Sequence, residues 1–240
     1  MSDARRVANP RHRRDAGPGW GGMVAAGLLA ALTPLGPALA DDATVAAGRE
    51  IVAHGVSPER PGCASCHLQD GAGQPDAGIP RIAGLTSSYV DAQLGYFASG
   101  ARHDTAMTPY ARMLTAAQRQ DVADYFASLP MPSKPDMPPS APAQLARGQA
   151  LFLDGDYHTG MPSCSQCHGT TGLGVGDFSP RLAGQSAVYV AEKLQQWHTG
   201  ELRDPKGAFM RAEAGHLDQS SIDAVAAYVA SLGNGEGSKP

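Results

Sequence analysis

Two stretches of the chain carry apolar residues at helical spacing, and they lie about a hundred positions apart. Val122, Tyr125, Phe126 and Leu129 recur at intervals of three and four, the period of one helix face. Thr115 and Gln118 precede them at the separation of a capping box. In the other stretch Ile222, Val225, Val229 and Leu232 form the stripe, with Asp218 as candidate N-cap. Short helices are expected over residues 48–52 and 148–152, and further ones starting near Tyr89 and Tyr189. Gly48 and Gly148 would let two helices cross closely. No run alternates as a half-buried strand would. The expectation is an all-α chain with long Gly/Pro loops.

The similarity of the two stretches extends to a tandem repeat. Cys63-Ala-Ser-Cys66-His67 matches Cys164-Ser-Gln-Cys167-His168. Pro80-Arg81-Ile82-Ala83-Gly84 matches Pro180-Arg181-Leu182-Ala183-Gly184. Met107 and Leu114 match Met210 and Leu217, and Tyr125, Ser128 and Leu129 match Tyr228, Ser231 and Leu232. Offsets of 100 to 103 with preserved landmarks indicate a duplicated domain, and two copies are too few for a solenoid. Residues 130–142 hold six prolines and read as a semi-rigid spacer. The expected organisation is a first copy over 41–130, a linker over 131–143, a second copy over 144–234 and a tail over 235–240. A domain of about 90 residues has a thin apolar core, which a large buried cofactor would thicken.

The first forty residues differ from the rest. Arg5, Arg6, Arg11, Arg13 and Arg14 precede an apolar stretch over 23–32, and Ala38-Leu39-Ala40 follows. This is the pattern of a secretory signal peptide cleaved after Ala40. An uncleaved anchor is disfavoured, because the apolar run falls short of the roughly 18 residues a spanning helix needs. Arg13-Arg14 invites a twin-arginine reading, which the following Asp-Ala-Gly-Pro does not support. Without residues 1–40 the chain keeps 14 basic and 21 acidic residues, a net charge of −7. Both copies are mildly acidic. That argues against a nucleic-acid partner and favours protein partners with a basic surface.

All four cysteines lie in the two C-x-x-C-H motifs, the signature of c-type haem attachment in a secreted protein. Two thiols three positions apart can bond to both vinyl groups of one haem, and the adjacent His then serves as proximal iron ligand. Cys63, Cys66, Cys164 and Cys167 are thus the candidate attachment residues, and His67 and His168 the proximal ligands. A thioredoxin-like dithiol would need a βαβ pattern. One shared zinc site would need both pairs to meet in space. Disulfides within such short loops would be strained.

Each iron also calls for a distal ligand. Met107 and Met210 are repeat-equivalent, each about 40 residues past its His. Met113, Met131, Met137 and Met161 have no equivalents and read as packing or linker. His103 and His216 lie near but at non-equivalent positions, which disfavours bis-His ligation. A thioether ligand raises the potential relative to bis-His and fills the sixth position. The Pro80 and Pro180 carbonyls are candidate acceptors for the proximal His N–H. Arg81 and Arg181 are candidate partners of the haem propionates.

These residues resemble the dihaem cytochromes c4 over essentially the whole of residues 41–240. The likeness rests on both haem motifs, the P-R-I-A-G-L and P-R-L-A-G-Q segments, the two methionines, and Gly160-Met-Pro-Ser-Cys-Ser-Gln-Cys-His168. The resemblance implies two class I cytochrome c domains with propionate edges near their interface. It implies two covalent haem c groups, with His67/Met107 and His168/Met210 as axial pairs. It further implies a periplasmic single-electron carrier, at times membrane-associated, passing electrons toward a terminal oxidase, and not an enzyme. An alternative is the dihaem electron-accepting subunit of a periplasmic dehydrogenase. A less favoured one is a haem enzyme of peroxidase or thiosulfate-oxidising type. The first copy has Leu85 where the second has Gln185, a difference that bears on the interface between copies.

Overall fold

The computed structural model describes residues 38–131, 140–176, 179–202 and 204–233. The basic and apolar segments of the expected signal peptide, most of the Pro-rich linker, with Met137, and the tail lie outside the described residues. Ten helices follow one another among those described. In the first copy they are α1 (Ala38–His54), α2 (Ala64–His67), α3 (Ser87–Ser99), α4 (Met107–Met113) and α5 (Ala116–Ser128). In the second they are α6 (Pro142–Leu153), α7 (Ser165–His168), α8 (Ala187–His198), α9 (Ala208–Ala214) and α10 (Gln219–Ser231). A short 3-10 turn spans Pro75–Ala77. Only isolated bridges, no strands, occur among the described residues.

The first helix of each copy is longer than residues 48–52 or 148–152 suggested. The alanine-rich stretch ahead of Gly48 carries α1 back to Ala38, since Ala has the best helix propensity. Pro142 opens α6 at its first position, where its missing N–H costs nothing. The Met-bearing helices α4 and α9 are seven residues each, too short for a periodic signal.

The terminal helices follow the expected caps. Thr115 Oγ1 accepts from Gln118 N–H at 3.2 Å, and Gln118 Oε1 accepts from Thr115 N–H at 2.9 Å. Asp218 Oδ1 accepts from Ser221 N–H at 2.7 Å. Hydrogen bonds from Ser221 and Ser220 hold this carboxyl at about 2, below the ordinary 3.8. A depressed folded-state value means that the cap's contribution is fully present above about pH 4 and is lost as pH falls through 2. Asp218→Asn, which keeps an acceptor oxygen, should flatten that limb of an acid-unfolding titration. An unaltered limb would mean the carboxylate has no such role.

Each copy has its own core. Val52, Leu94, Phe97, Val122, Tyr125 and Phe126 are buried in the first, and Phe152, Leu194, Leu217, Ile222, Val225 and Val229 in the second. α1 packs across α5, and α6 across α10. Gly48 and Gly148 sit at these crossings. A Cβ on Gly48 would meet the Asp121 carbonyl and Tyr125 Cβ, and one on Gly148 the Ala224 carbonyl and Tyr228 Cβ.

The copies meet along a polar seam. The Arg102 guanidinium donates to Gln93 Oε1 and, at 3.2 Å, to the Tyr189 hydroxyl, while lying 4.6 Å over the Phe97 ring. Burial and the neighbouring Tyr189 hydroxyl push the Tyr89 phenol up, so it stays neutral. Ser186 Oγ donates to the Pro75 carbonyl at 2.8 Å, which ties the start of α8 to the 3-10 turn of the first copy.

Candidate functional site

Both C-x-x-C-H motifs fold into a single helical turn. His67 N–H donates to the Cys63 carbonyl, and His168 N–H to the Cys164 carbonyl, each at 2.9 Å. The i to i−4 bond places the first Cys and the His one turn apart. None of the four cysteines is disulfide-bonded; Cys66 and Cys167 are exposed and Cys63 and Cys164 half-buried. Burial raises the Cys63 thiol and holds Cys164 at about 11. The histidines are buried. Burial pushes both rings below the ordinary imidazole value, against the opposing effect of a backbone hydrogen bond. They are therefore neutral, the form that ligates a metal.

The loops that follow share their main backbone bonds, although the first carries an added 3-10 turn over Pro75–Ala77. Gly73 N–H donates to the His67 carbonyl at 3.0 Å and Gly174 N–H to the His168 carbonyl at 2.9 Å. Ile82 N–H reaches the Gly71 carbonyl, and Leu182 N–H the Gly172 carbonyl, at 2.9 and 2.8 Å. These turns bring the Pro80 carbonyl to 3.0 Å from His67 Nδ1 and the Pro180 carbonyl to 2.9 Å from His168 Nδ1. A carbonyl only accepts, so Nδ1 carries the hydrogen in each ring. Nε2 keeps the lone pair that a metal needs.

Met107 and Met210 each pack against the same core as the Cys of their own copy. Asp104 Oδ1 accepts from Met107 N–H at 2.8 Å and from Ala106 N–H at 2.9 Å, which fixes the entry into α4. Met161 is core, and Met131 lies over Gly84. His103 and His216 are exposed. Among the described residues no three His, Cys, Asp or Glu side chains form a metal-holding group, so the four cysteines do not gather into a zinc site.

Arg81 and Arg181 supply a further test of what these sites accept. Arg81 is 3% exposed. Its Nη2 donates to the Ala183 carbonyl, while Nε and Nη1, like Arg181 Nε and Nη2, are buried without a hydrogen-bond partner. Burial, and then the charge of Arg181, bring Arg81 down to about 10, and burial lowers Arg181 as well. A buried Arg81 and a half-buried Arg181, close enough for one charge to act on the other and each with orphaned donors, fit a pair of anionic groups. Haem propionates supply that chemistry, and the thiol pairs and neutral imidazoles supply the rest. The residues present fit two haem groups.

Several contributors went unread in the sequence. Asp104 is one, and the seam residues Arg102 and Gln93, with Asp204, whose charge acts on Arg102, are others. The recurrence of Tyr89 and Tyr189, which interact across the seam, and the contrast of Leu85 with the seam residue Gln185 were the available signals.

The two sites together fit a dihaem electron-transfer protein. The profile of the cytochrome c family matches residues 45–130 and 145–233. The chain belongs to the cytochrome c family, as a dihaem protein of the c4 type that carries two covalently bound haem c groups. It is similar to the thiosulfate dehydrogenase electron acceptor of Thiomonas intermedia, 40% identical over 72% of this chain and 79% of that protein. It is also similar to cytochrome c4 of Pseudomonas aeruginosa, 33% identical over 71% of this chain and 83% of that protein. Among solved structures, the thiosulfate dehydrogenase of Marichromatium purpuratum superposes with a TM-score of 0.71 at 36% identity. That likeness covers 78% of this chain but only 40% of the other.

Proposed function

We propose that this dihaem electron carrier accepts electrons from a thiosulfate dehydrogenase. The observation that carries the reading is the 40% identity to a thiosulfate dehydrogenase electron acceptor, above the 33% to a cytochrome c4. The likeness to part of a longer thiosulfate dehydrogenase chain supports it. A dehydrogenase that removes an electron pair could fill two one-electron sites in one encounter. Transfer onward to a terminal oxidase, the role implied by the c4 resemblance, is the second reading, and both can describe one carrier.

Cys63, Cys66, Cys164 and Cys167 would attach the haems, and His67 with Met107 and His168 with Met210 would hold the irons. Pro80 and Pro180 orient the imidazoles, and Arg81 and Arg181 neutralise the propionates. When bound, each haem takes up and releases one electron at its iron. The chain's own residues hold the imidazole tautomer through Nδ1, and one histidine and one methionine of each copy would both ligate its iron, which would leave no open site for peroxide chemistry. The basic start of the chain and the small-residue site before Asp41 support export to the periplasm. No helix among the described residues is long and apolar enough to cross a membrane. Peripheral contact with a membrane and docking on a basic redox partner complete the picture.

The test is stopped-flow reduction of the oxidised, haem-loaded protein by a thiosulfate dehydrogenase with thiosulfate. We expect two electrons per chain to be taken up with the enzyme present, and only slow uptake from thiosulfate alone. Reduction no faster than that of an unrelated acidic c-type cytochrome would remove the assignment.

A further inference from the structure

The copies share the backbone bonds of the haem-motif loops described above, but the contacts across the seam are not reciprocal, and one of them reaches a haem-motif loop through its backbone. Gln185, 5% exposed, belongs to the second copy. Its Oε1 accepts from the Arg81 backbone N–H at 3.0 Å, and its Nε2 donates to the Arg81 carbonyl at 2.8 Å. Oε1 also accepts from Ser186 N–H at 3.0 Å, so the amide is fixed in orientation. The Arg81 N–H belongs to the same planar peptide unit as the Pro80 carbonyl, and that carbonyl faces His67 Nδ1 at 3.0 Å. A continuous line therefore runs from Gln185 Oε1, through the Pro80–Arg81 peptide, to the imidazole of the first copy.

We propose that Gln185 is a positioning residue for the first haem, through which the second copy sets the potential of the first copy's iron. An acceptor on the N–H of a peptide polarises its carbonyl, and hydrogen bonds in such a line strengthen one another. A stronger carbonyl acceptor makes the imidazole more basic. A more basic ligand favours the oxidised iron and holds the potential down. The reciprocal line cannot form. Leu85 occupies the matching place in the first copy, its side chain has neither donor nor acceptor, and it is buried in its own core. The flanking contacts share the asymmetry. A Cβ on Gly184 would meet the Arg81 guanidinium at 2.9 Å, whereas Gly84 is covered by Met131 at the start of the linker. The split between two haems of the same ligand type thus arises in part from one amide side chain.

The inference rests on His67 being the proximal ligand, and the experiment separates the two. The haem-loaded wild type and Gln185→Met are compared by spectroelectrochemical titration. Each potential is assigned through the Met107→Ala and Met210→Ala proteins, in which one haem is spectrally distinct. In the reduced state the two imidazole Nδ1–H protons are followed by NMR. We expect the first haem to shift to higher potential and the His67 proton to move upfield and exchange faster, with the second haem and His168 unchanged. Ser186→Ala, which cuts a neighbouring seam bond without touching residue 81, should leave both potentials in place. Should Gln185→Met fail to load both haems, Gln185→Leu, the first copy's own residue here, is read the same way. Equal shifts at both haems, no shift, or the same shift in Ser186→Ala would overturn the proposal. Failure of the ligand assignment would appear earlier, as a wild type without two low-spin haems.

Discussion

Replacing Met210 with Ala is expected to turn one of the two haems high-spin and to lower its potential by on the order of 0.2 V. That is a fraction of the ~0.8 V over which axial ligands set haem potentials. The other haem should be nearly unchanged, and Met107→Ala should give the mirror result. The thioether stabilises the reduced iron relative to water or a nitrogen ligand, so its loss favours the oxidised state. Replacement from within is poorly placed, because His103 and His216 are exposed. Met→Leu variants separate ligation from packing, since Leu nearly conserves the volume but has no sulfur. Optical spectra and redox titration read both effects. If neither substitution alters the spectrum, the sixth ligands lie elsewhere.

The second large effect is on stability. Gly148→Ala should destabilise the second copy by about 3 kcal/mol, the upper part of the usual range for overpacking. The new methyl group would be driven into the Ala224 carbonyl and Tyr228 Cβ, and a backbone carbonyl in the middle of α10 cannot swing aside. Gly48→Ala should act alike through Asp121. In a unit of about 90 residues this corresponds to a fall of more than about 10 °C in Tm. Gly95→Ala is the control. Gly95 lies inside α3 with nothing within 4 Å of a Cβ, so the gain in helix propensity should raise stability by about 0.5–1 kcal/mol. Thermal melts followed by circular dichroism decide between them. Equal stability of Gly148→Ala and wild type would mean that the α6–α10 crossing is looser than the structure shows.

How much was legible in the sequence depended on whether a feature was local and repeated. The stripes of α5 and α10 and their caps involve residues three or four apart, and both copies carry them, so chance resemblance was easy to discount. The haem motifs were readable for the same reason. The approach of the Pro80 and Pro180 carbonyls to the imidazoles was inferred from recurrence, since residues 12 and 13 apart become neighbours only once the loop is closed. α4 and α9 escaped because a seven-residue helix carries barely two turns of pattern. The Asp104 cap is confined to the first copy and so had no echo. The seam was hidden more deeply. Arg81 and Gln185 are 104 positions apart, and nothing in their local context marks them as partners. Only Leu85 standing in the place of Gln185 hinted that the copies differ where they touch.

The one-way reach of Gln185 has an architectural consequence. A surface that pairs with an identical copy of itself must be self-complementary, each side offering what the other accepts. Here the first copy offers a bare peptide, its Leu85 being turned into its own core, and the second offers the amide that grips that peptide. Two first copies would leave the peptides ungripped, and two second copies would bury an extra amide on each side. The duplicated halves have become a matched left and right, fixed in their order along the chain.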